Sequence, residues 1–475
     1  MKVLKFGGGC LLDADGFRRA ARLTLDNSGR VAVVVSAVNG LTDELIRAGE
    51  AAAAGTLDAG FIGGVRERHV ELAMAAIGEE TIRSGVRRVL DGMCGRLERL
   101  FGGIALVGEI SPSVRAHVVS YGERMAAHLL TGVLRGAGGK AKAFETDHAG
   151  IVAVGGFDGA SVDWPGSSAG FAAVKRDIEN GVLIPVFTGY FGRSPEGRVV
   201  TFGRNGSDYS AAVVALGLGA ETLELWKDTD GIMTADPKLV PEARPVLRMS
   251  AAAAAELSYF GAKILHPSVF EPLAGASVAI HIRTFADPES PGTEIVSGES
   301  FPRPAVHCVT ANPEVAVLRV LGPGVGVRPG IIGRVGDRLA AAGINILTVL
   351  TSQTAINLLV DRSQAVRGKD ELMKIGEDAI RTVALTEDAA IVAVVGERLD
   401  AMRGVAGRFF AALDGAAVRS AIVASGASEA AIYAVVPRGD AALAVRALHE
   451  EFFSGREFRD PETAEFPDSG AGRPQ

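Results

Sequence analysis

Two segments in the C-terminal third of the chain repeat one another, and no other feature limits the fold as tightly. "GIIGRVGDRLAAAGINILTVL" begins at Gly330 and "GVAGRFFAALDGAAVRSAIVA" at Gly404. Each opens on G-x-x-G-R, runs as an apolar-periodic helix, breaks at a small residue and continues as a strand. The break falls 13 residues in both times, at Gly343 and at Ala417. A strand precedes each copy ("EVAVLRV", "AAIVAVV"), and a strand plus a helix follow it. The spacing predicts βαββαβ twice, two ferredoxin-like units.

Upstream, over about the first 300 residues, strand-like and helix-like segments alternate, the signature of an α/β layered fold. Strands are expected in "RVAVVVSAV" from Arg30, "VLIPVFTG" from Val182 and "ETLELW" from Glu221. Helices are expected in "DADGFRRAARLTLD" from Asp13 and in the long run from Ser111 to Gly136, with Ser111 as N-cap and Pro112 at the first helical position. "SPEGRVV" from Ser194 reads as a hairpin turn, and the Pro-, Gly- and Ser-rich stretch from Asp287 as the main boundary. We therefore expect parts at 1–297, 305–382 and 388–457, and a polar, disordered tail at 459–475.

A chain of 475 residues exceeds one compact core. The net charge of −7 is spread along it, and no Lys/Arg block points to nucleic acid or a membrane surface. Three widely spaced cysteines fit a reducing compartment, and the histidines do not pair with them at zinc-ligand spacing. No apolar run reaches the ~20 residues needed to cross a bilayer, and no signal-peptide pattern opens the chain, so a cytoplasmic protein is expected.

Six stretches could carry chemistry. "KFGGGC" sets Lys5 beside a glycine turn (Gly7, Gly8, Gly9) whose amides could cradle an anion; taken alone it reads sooner as an ordinary strand end with a flexible turn. "SAVNGLTDEL" puts Ser36 at a strand end, with Thr42 and Asp43 as ligand contacts, as caps of the next helix, or as both. In "SYGERMAAHLL" the helical period assigns Glu123 to the surface, the other role being a buried counter-charge for an ammonium. "GRNGSDYSAA" packs Arg204, Ser207 as N-cap and Asp208 into one loop and helix start. "WKDTDGIMTADPK" carries Asp228, Asp230 and Asp236, either magnesium ligands or an acidic turn, and Lys238 as a phosphate contact. In "YFGAKILHP", Lys263 either reaches a nucleotide or is solvated. "GPGVGV" from Gly322 fails the dinucleotide fingerprint, because Val327 stands where the third glycine belongs.

In this order the stretches resemble the aspartate kinases, whose members read K-F-G-G-T/S-S, S-x-G-E-R, G-R-G-G-S-D-Y-S-A, W-[TK]-D-V-D-G and Y-F-G-A-K-[VI]-L-H-P. The resemblance covers roughly residues 1–455. It implies an amino-acid-kinase-like three-layer α/β fold with a mainly parallel sheet, followed by two ferredoxin-like ACT domains. It also implies transfer of the γ-phosphoryl of ATP, with Mg²⁺, to the side-chain carboxylate of L-aspartate, in a homodimer or higher oligomer paired through ACT domains.

By the same resemblance Lys5 and the Gly7 and Gly8 amides hold the transferring phosphoryl. Ser36, Thr42 and Ser207 bond the substrate, Arg204 clamps its α-carboxylate, and Glu123 and Asp208 take its ammonium. Lys227, Asp228, Met233, Lys238, Lys263 and Ile264 line the nucleotide pocket. The alternatives are a same-fold kinase for another carboxylate and a silent ACT-containing sensor. Gly9-Cys10 replaces the family's Thr-Ser, which removes two hydroxyls from the phosphate loop. Asn205 replaces a usual glycine, and the first ACT copy lacks the Ser-Ser-Glu of family effector loops.

Overall fold

The structure is a computed structural model. It describes residues 1–454 apart from 28, 182, 204, 263, 299, 300, 302, 323, 324, 327 and 377–379, so Arg204, Lys263 and the tail lie outside the described residues. The chain divides into two compact units: Met1–Thr234 with Arg244–His307, and Ala235–Ala243 with the chain from Cys308 onward.

An eight-stranded sheet organises the first unit. Its order is Arg248–Ser250, Thr293–Val296, Ala279–Thr284, Thr222–Lys227, Lys2–Phe6, Val31–Val35, Ile184–Thr188, Ala141–Phe144. Every pair is parallel except Ala279–Thr284 with Thr293–Val296. Val31–Val35 is buried at all five positions, as a parallel strand covered on both faces must be. The Asp287 stretch, expected as a boundary, itself supplies Thr293–Val296.

Strand alternation decides which side chain meets which layer. Leu4, Phe6, Val31, Val33 and Val35 point into one core, with helices Ala14–Leu25, Leu41–Ala53, Glu80–Val107 and Tyr121–Gly136. Lys5 points to the other face, which helix Gly206–Leu218 covers. Because the central strands are parallel, the loops after Phe6, Val35, Thr188 and Lys227 all leave the same edge of the sheet.

Local signals hold at several ends. Asp13 accepts from the Gly16 amide at 2.8 Å, and Ser111 accepts from the Val114 amide at 3.4 Å. The expected hairpin pairs Phe191–Arg193 with Val199–Thr201. The run from Ser111, however, is two helices, Pro112–Val119 and Tyr121–Gly136, separated at Ser120.

The second unit holds two four-stranded sheets. In one, Val315–Leu321, Ile346–Thr351, Ala355–Asp361 and Thr382–Thr386 combine with helices Ile331–Ala341 and Ala365–Met373 as βαββαβ. The other contains Ala390–Glu397, Ile422–Ser425 and Ala431–Val436 with helices Val405–Gly415 and Ala441–Phe453. Its fourth strand is Ala305–Asn312, which precedes the first copy in the chain. The expected start of the first copy at 305 is therefore corrected: the copies are interleaved, because the edge beside Ala390–Glu397 is closed by the earlier strand. Thr348 Oγ1 and Tyr433 Oη, 2.6 Å apart, join the two sheets.

Candidate active site

Four loops at the strand edge build the site. After Phe6, Gly8–Cys10 forms a single 3₁₀ turn, with the Cys10 amide donating to the Gly7 carbonyl at 3.0 Å. A Cβ on Gly7 would lie 3.5 Å from Lys5 Nζ, and one on Gly8 would lie 3.3 Å from the Ala37 carbonyl, so the loop is wedged between the lysine and the next strand's exit. After Thr188 only glycine fits: a Cβ on Gly189 would stand 2.8 Å from both the Val35 carbonyl and Ser207 Cβ.

Behind the loop lies a buried ion cluster. Lys5 Nζ sits 2.6 Å from Asp208 Oδ1, and Lys227 Nζ sits 2.8 Å from Asp208 Oδ2. Asp208 is 2% exposed and stands in the first turn of helix Gly206–Leu218, where the helix dipole also favours a negative charge. Burial alone would raise its carboxyl, but the Lys227 and Lys5 ammoniums outweigh that and hold it far below the usual carboxylate range. With two cations on one anion, the cluster carries a surplus positive charge next to the glycine amides.

In front lies a cleft of about 820 Å³ lined by Gly8, Ser36, Thr42, Glu123 and Ser207 among others. The structure thus gathers six of the sequence-chosen residues, these five and Asp43, around one space. Glu123 is 2% exposed, which overturns its assignment to the surface. Helix Tyr121–Gly136 is buried nearly all round, so its period carried no information about which side faced water. The Ala37 amide donates to Glu123 Oε1 at 3.2 Å, while Oε2 has no hydrogen-bond partner. Burial pushes the carboxyl up to about 8, with the Ala37 amide working against it.

Arg124 anchors that helix. Its guanidinium binds Asp147 at 2.6 Å and Glu145, its Nε donates to Ser120 Oγ at 3.1 Å, and it lies 4.7 Å from the Phe191 ring centroid.

Several expectations need correcting. Ser207 is not an N-cap: Asn205 holds that position at φ 54°, and Ser207 lies inside the helix. Asparagine tolerates the left-handed region, which explains why it can stand where the family has glycine. Gly40 at φ 80° caps helix Leu41–Ala53, so neither Thr42 nor Asp43 is the cap. Asp208, first expected to take a substrate ammonium, has a lysine ammonium against each of its oxygens. The Cys10 thiol is turned into the core rather than toward the cleft: it donates to the Trp226 carbonyl at 3.2 Å, and burial pushes it up to about 11, with the Gly7 backbone working against it.

Asp228 closes against the loop, its Oδ2 3.0 Å from where a Cβ on Gly9 would be. Met233 and Ile264 are half-buried and do not line the cleft. Lys238 is exposed and lies in the segment grouped with the second unit.

The sequence reading missed Arg115, Asp158 and Tyr190, which also line the cleft. Tyr190 has φ 74°, a backbone strain that often marks functional loops, and its place after "TG" at a strand exit was the available signal.

Residues 1–284 match the family model described as the amino acid kinase family, and 392–452 match an ACT domain. The chain belongs to the amino acid kinase family. It is 30% identical to the bifunctional aspartokinase/homoserine dehydrogenase of Haemophilus influenzae, over 97% of this chain and 57% of that protein. It is 28% identical to the chloroplastic aspartokinase 2 of Arabidopsis thaliana, over 95% of this chain and 84% of that one. Among solved structures it is similar to E. coli aspartokinase III in complex with aspartate and ADP, with a TM-score of 0.83, 26% identity and coverage of 95% and 100%. Among the described residues, no helix is long and apolar enough to cross a membrane.

Proposed function

We propose that this chain is an aspartate kinase, transferring the γ-phosphoryl of ATP to the side-chain carboxylate of L-aspartate. One observation carries the proposal: a single cleft has Gly8, beside the surplus-positive cluster, among its walls and Glu123, with an unpartnered oxygen, as another. The first suits a phosphoryl group and the second an ammonium, and an amino acid phosphorylated on a carboxylate needs both. The relatives' names and the aspartate and ADP bound to the E. coli enzyme support the same acceptor and nucleotide.

The acceptor is already ionised at neutral pH, so no general base is required. A carboxylate oxygen forms a bond to the γ-phosphorus as the bond from phosphorus to the β,γ-bridging oxygen breaks, and the electron pair leaves on ADP. The obstacle is repulsion between two anions, so positioning and charge neutralisation supply the catalysis.

Lys5 and the Gly8 amide receive the transferring group; the Gly7 amide, expected to share this role, already donates to the Trp226 carbonyl at 3.4 Å. Ser36, Thr42 and Ser207 bond the substrate, Glu123 takes its ammonium and Arg204 its α-carboxylate. Lys227, Asp228, Met233, Lys238, Lys263 and Ile264 are assigned to the nucleotide side. Asp228, lying against the glycine loop, suits a Mg²⁺ ion carried on the phosphates, which prefers few carboxylates and would supply charge neutralisation there. We assign residues 1–297 to catalysis. We also infer that two copies pair through exposed edge strands of the small sheets, such as Ile346–Thr351 and Ile422–Ser425.

A hydroxylamine-trapping assay with ATP, Mg²⁺ and a panel of acidic amino acids tests the proposal. Hydroxamate formation from aspartate alone is expected. Turnover of a different acid would reassign the acceptor, and turnover of none would leave a silent sensor.

A further inference from the structure

Lys5 is not a free cation. Its ammonium is 2.6 Å from Asp208 Oδ1, and that pair by itself is neutral. An ammonium has three N–H donors, so Lys5 can touch both partners, but the charge it gives to a phosphoryl group weakens its hold on a carboxylate that is 2% exposed. Stranding a buried carboxylate without a partner is strongly unfavourable, and whatever it costs is added to the reaction barrier. Lys227 removes that difficulty.

Lys227 ends strand Thr222–Lys227, the parallel neighbour of Lys2–Phe6, with Lys5 opposite Leu225. Two residues beyond Leu225, Lys227 points to the same sheet face as Lys5. It reaches the oxygen that Lys5 leaves free, at 2.8 Å. Its side chain is 16% exposed against 7% for Lys5, so it lies on the outer side of the carboxylate.

We propose that Lys227 is a positioning residue for phosphoryl transfer: by holding Asp208 through its second oxygen, it lets the Lys5 ammonium turn to the transferring group while the buried carboxylate stays paired. No proton moves and Lys227 forms no bond to phosphorus; the surplus charge passes from the Lys5–Asp208 contact to the phosphoryl oxygens. This deepens the kinase assignment above and rests on it. It also differs from a plain nucleotide contact, because it places the effect of Lys227 in the transition state rather than in ground-state binding.

The test compares the full-length wild type with Lys227→Met and Lys227→Arg, using hydroxamate turnover at saturating ATP and aspartate and ADP affinity by calorimetric titration. Lys227→Met should lose about 10²-fold in kcat, the size expected when a preorganised electrostatic contact is removed, while the Kd for ADP changes by no more than about threefold. Lys227→Arg, which can still bond Asp208, should recover at least about a tenth of the wild-type rate. If Lys227→Met does not fold, Lys227→Gln takes its place with the same expectation.

The proposal is overturned if kcat stays within about threefold of wild type, or if the loss lies in nucleotide affinity with kcat intact. It is overturned equally if the arginine variant is as slow as the methionine one. A wild type that turns over no acidic amino acid overturns the kinase assignment and this proposal together, whereas an active wild type with an unaffected Lys227→Met overturns this proposal alone.

Discussion

The first unit contains two buried ion clusters that balance their charges in opposite directions. Around Asp208 two lysines share one carboxylate; around Arg124 one guanidinium serves two carboxylates, Glu145 and Asp147. His128 Nε2, 3.0 Å from Glu145, lies at the edge of the second cluster. The lysine cluster sits at the carboxyl ends of parallel strands beside a glycine turn, and two ammoniums contact its one carboxylate, with Asp228 set apart against the turn. The arginine cluster ties helix Tyr121–Gly136 to the segment 145–147 with a planar, multiply bonded fork, which is how a protein fixes a position. A flexible point charge in surplus suits a transferred anion, whereas a locked fork suits a scaffold, here the one that aims Glu123.

Neutralising one cation in each cluster should separate these roles. Lys5→Met should lower kcat by about 10³-fold with the ADP affinity nearly kept, measured by turnover and titration. Arg124→Met leaves the buried Asp147 and the half-buried Glu145 short of their cation. It should cost about 3–5 kcal/mol of folding stability, read from the urea midpoint. If Arg124→Met instead kept its stability and lost only kcat, the division between the clusters would fail.

Glu123 tests what the arginine scaffold is for. Its carboxyl is pushed up to about 8, so below that pH the neutral acid predominates and an ammonium meets no counter-charge. The KM for aspartate should therefore fall as pH rises toward 8, by up to about tenfold per unit, and level off above it. Above pH 8, Glu123→Gln should raise that KM about a hundredfold, and at all pH it should flatten the profile. A profile unchanged by the substitution would take the ammonium away from Glu123.

Much of this was legible in the sequence because it depends on local chemistry. The turn after Phe6, the helix beginning at Asp13, the Ser111 cap and the hairpin at Ser194 follow from residues adjacent in the chain. The repeat predicted equal helix breaks, and both occur, with Gly343 at φ 66° and Ala417 at φ 56°. What was illegible depended on partners distant in sequence. Glu123 reads as a surface charge until the layers around helix Tyr121–Gly136 are assembled. Asp208 reads as a free anion until two strands bring lysines to it. Strand Ala305–Asn312 reads as part of the nearer copy because nothing local records that it closes the farther sheet.

The smallest effects compare positions where the chain departs from expectation. Alanine in the left-handed region at Ala417 is strained where the first copy has glycine, so Ala417→Gly should stabilise by about 1 kcal/mol in thermal unfolding. Cys10→Ser should change turnover by less than about twofold, since a serine hydroxyl can keep the bond to the Trp226 carbonyl at the buried side of the turn.

The most direct measurement is ³¹P NMR of the wild-type chain and of Lys5→Met, each with ATP, Mg²⁺ and aspartate. An acyl-phosphate resonance should grow one for one with ADP in the wild type and be lost in Lys5→Met, which still binds ADP. ADP forming with only inorganic phosphate, or Lys5→Met making acyl phosphate at the wild-type rate, would contradict the account.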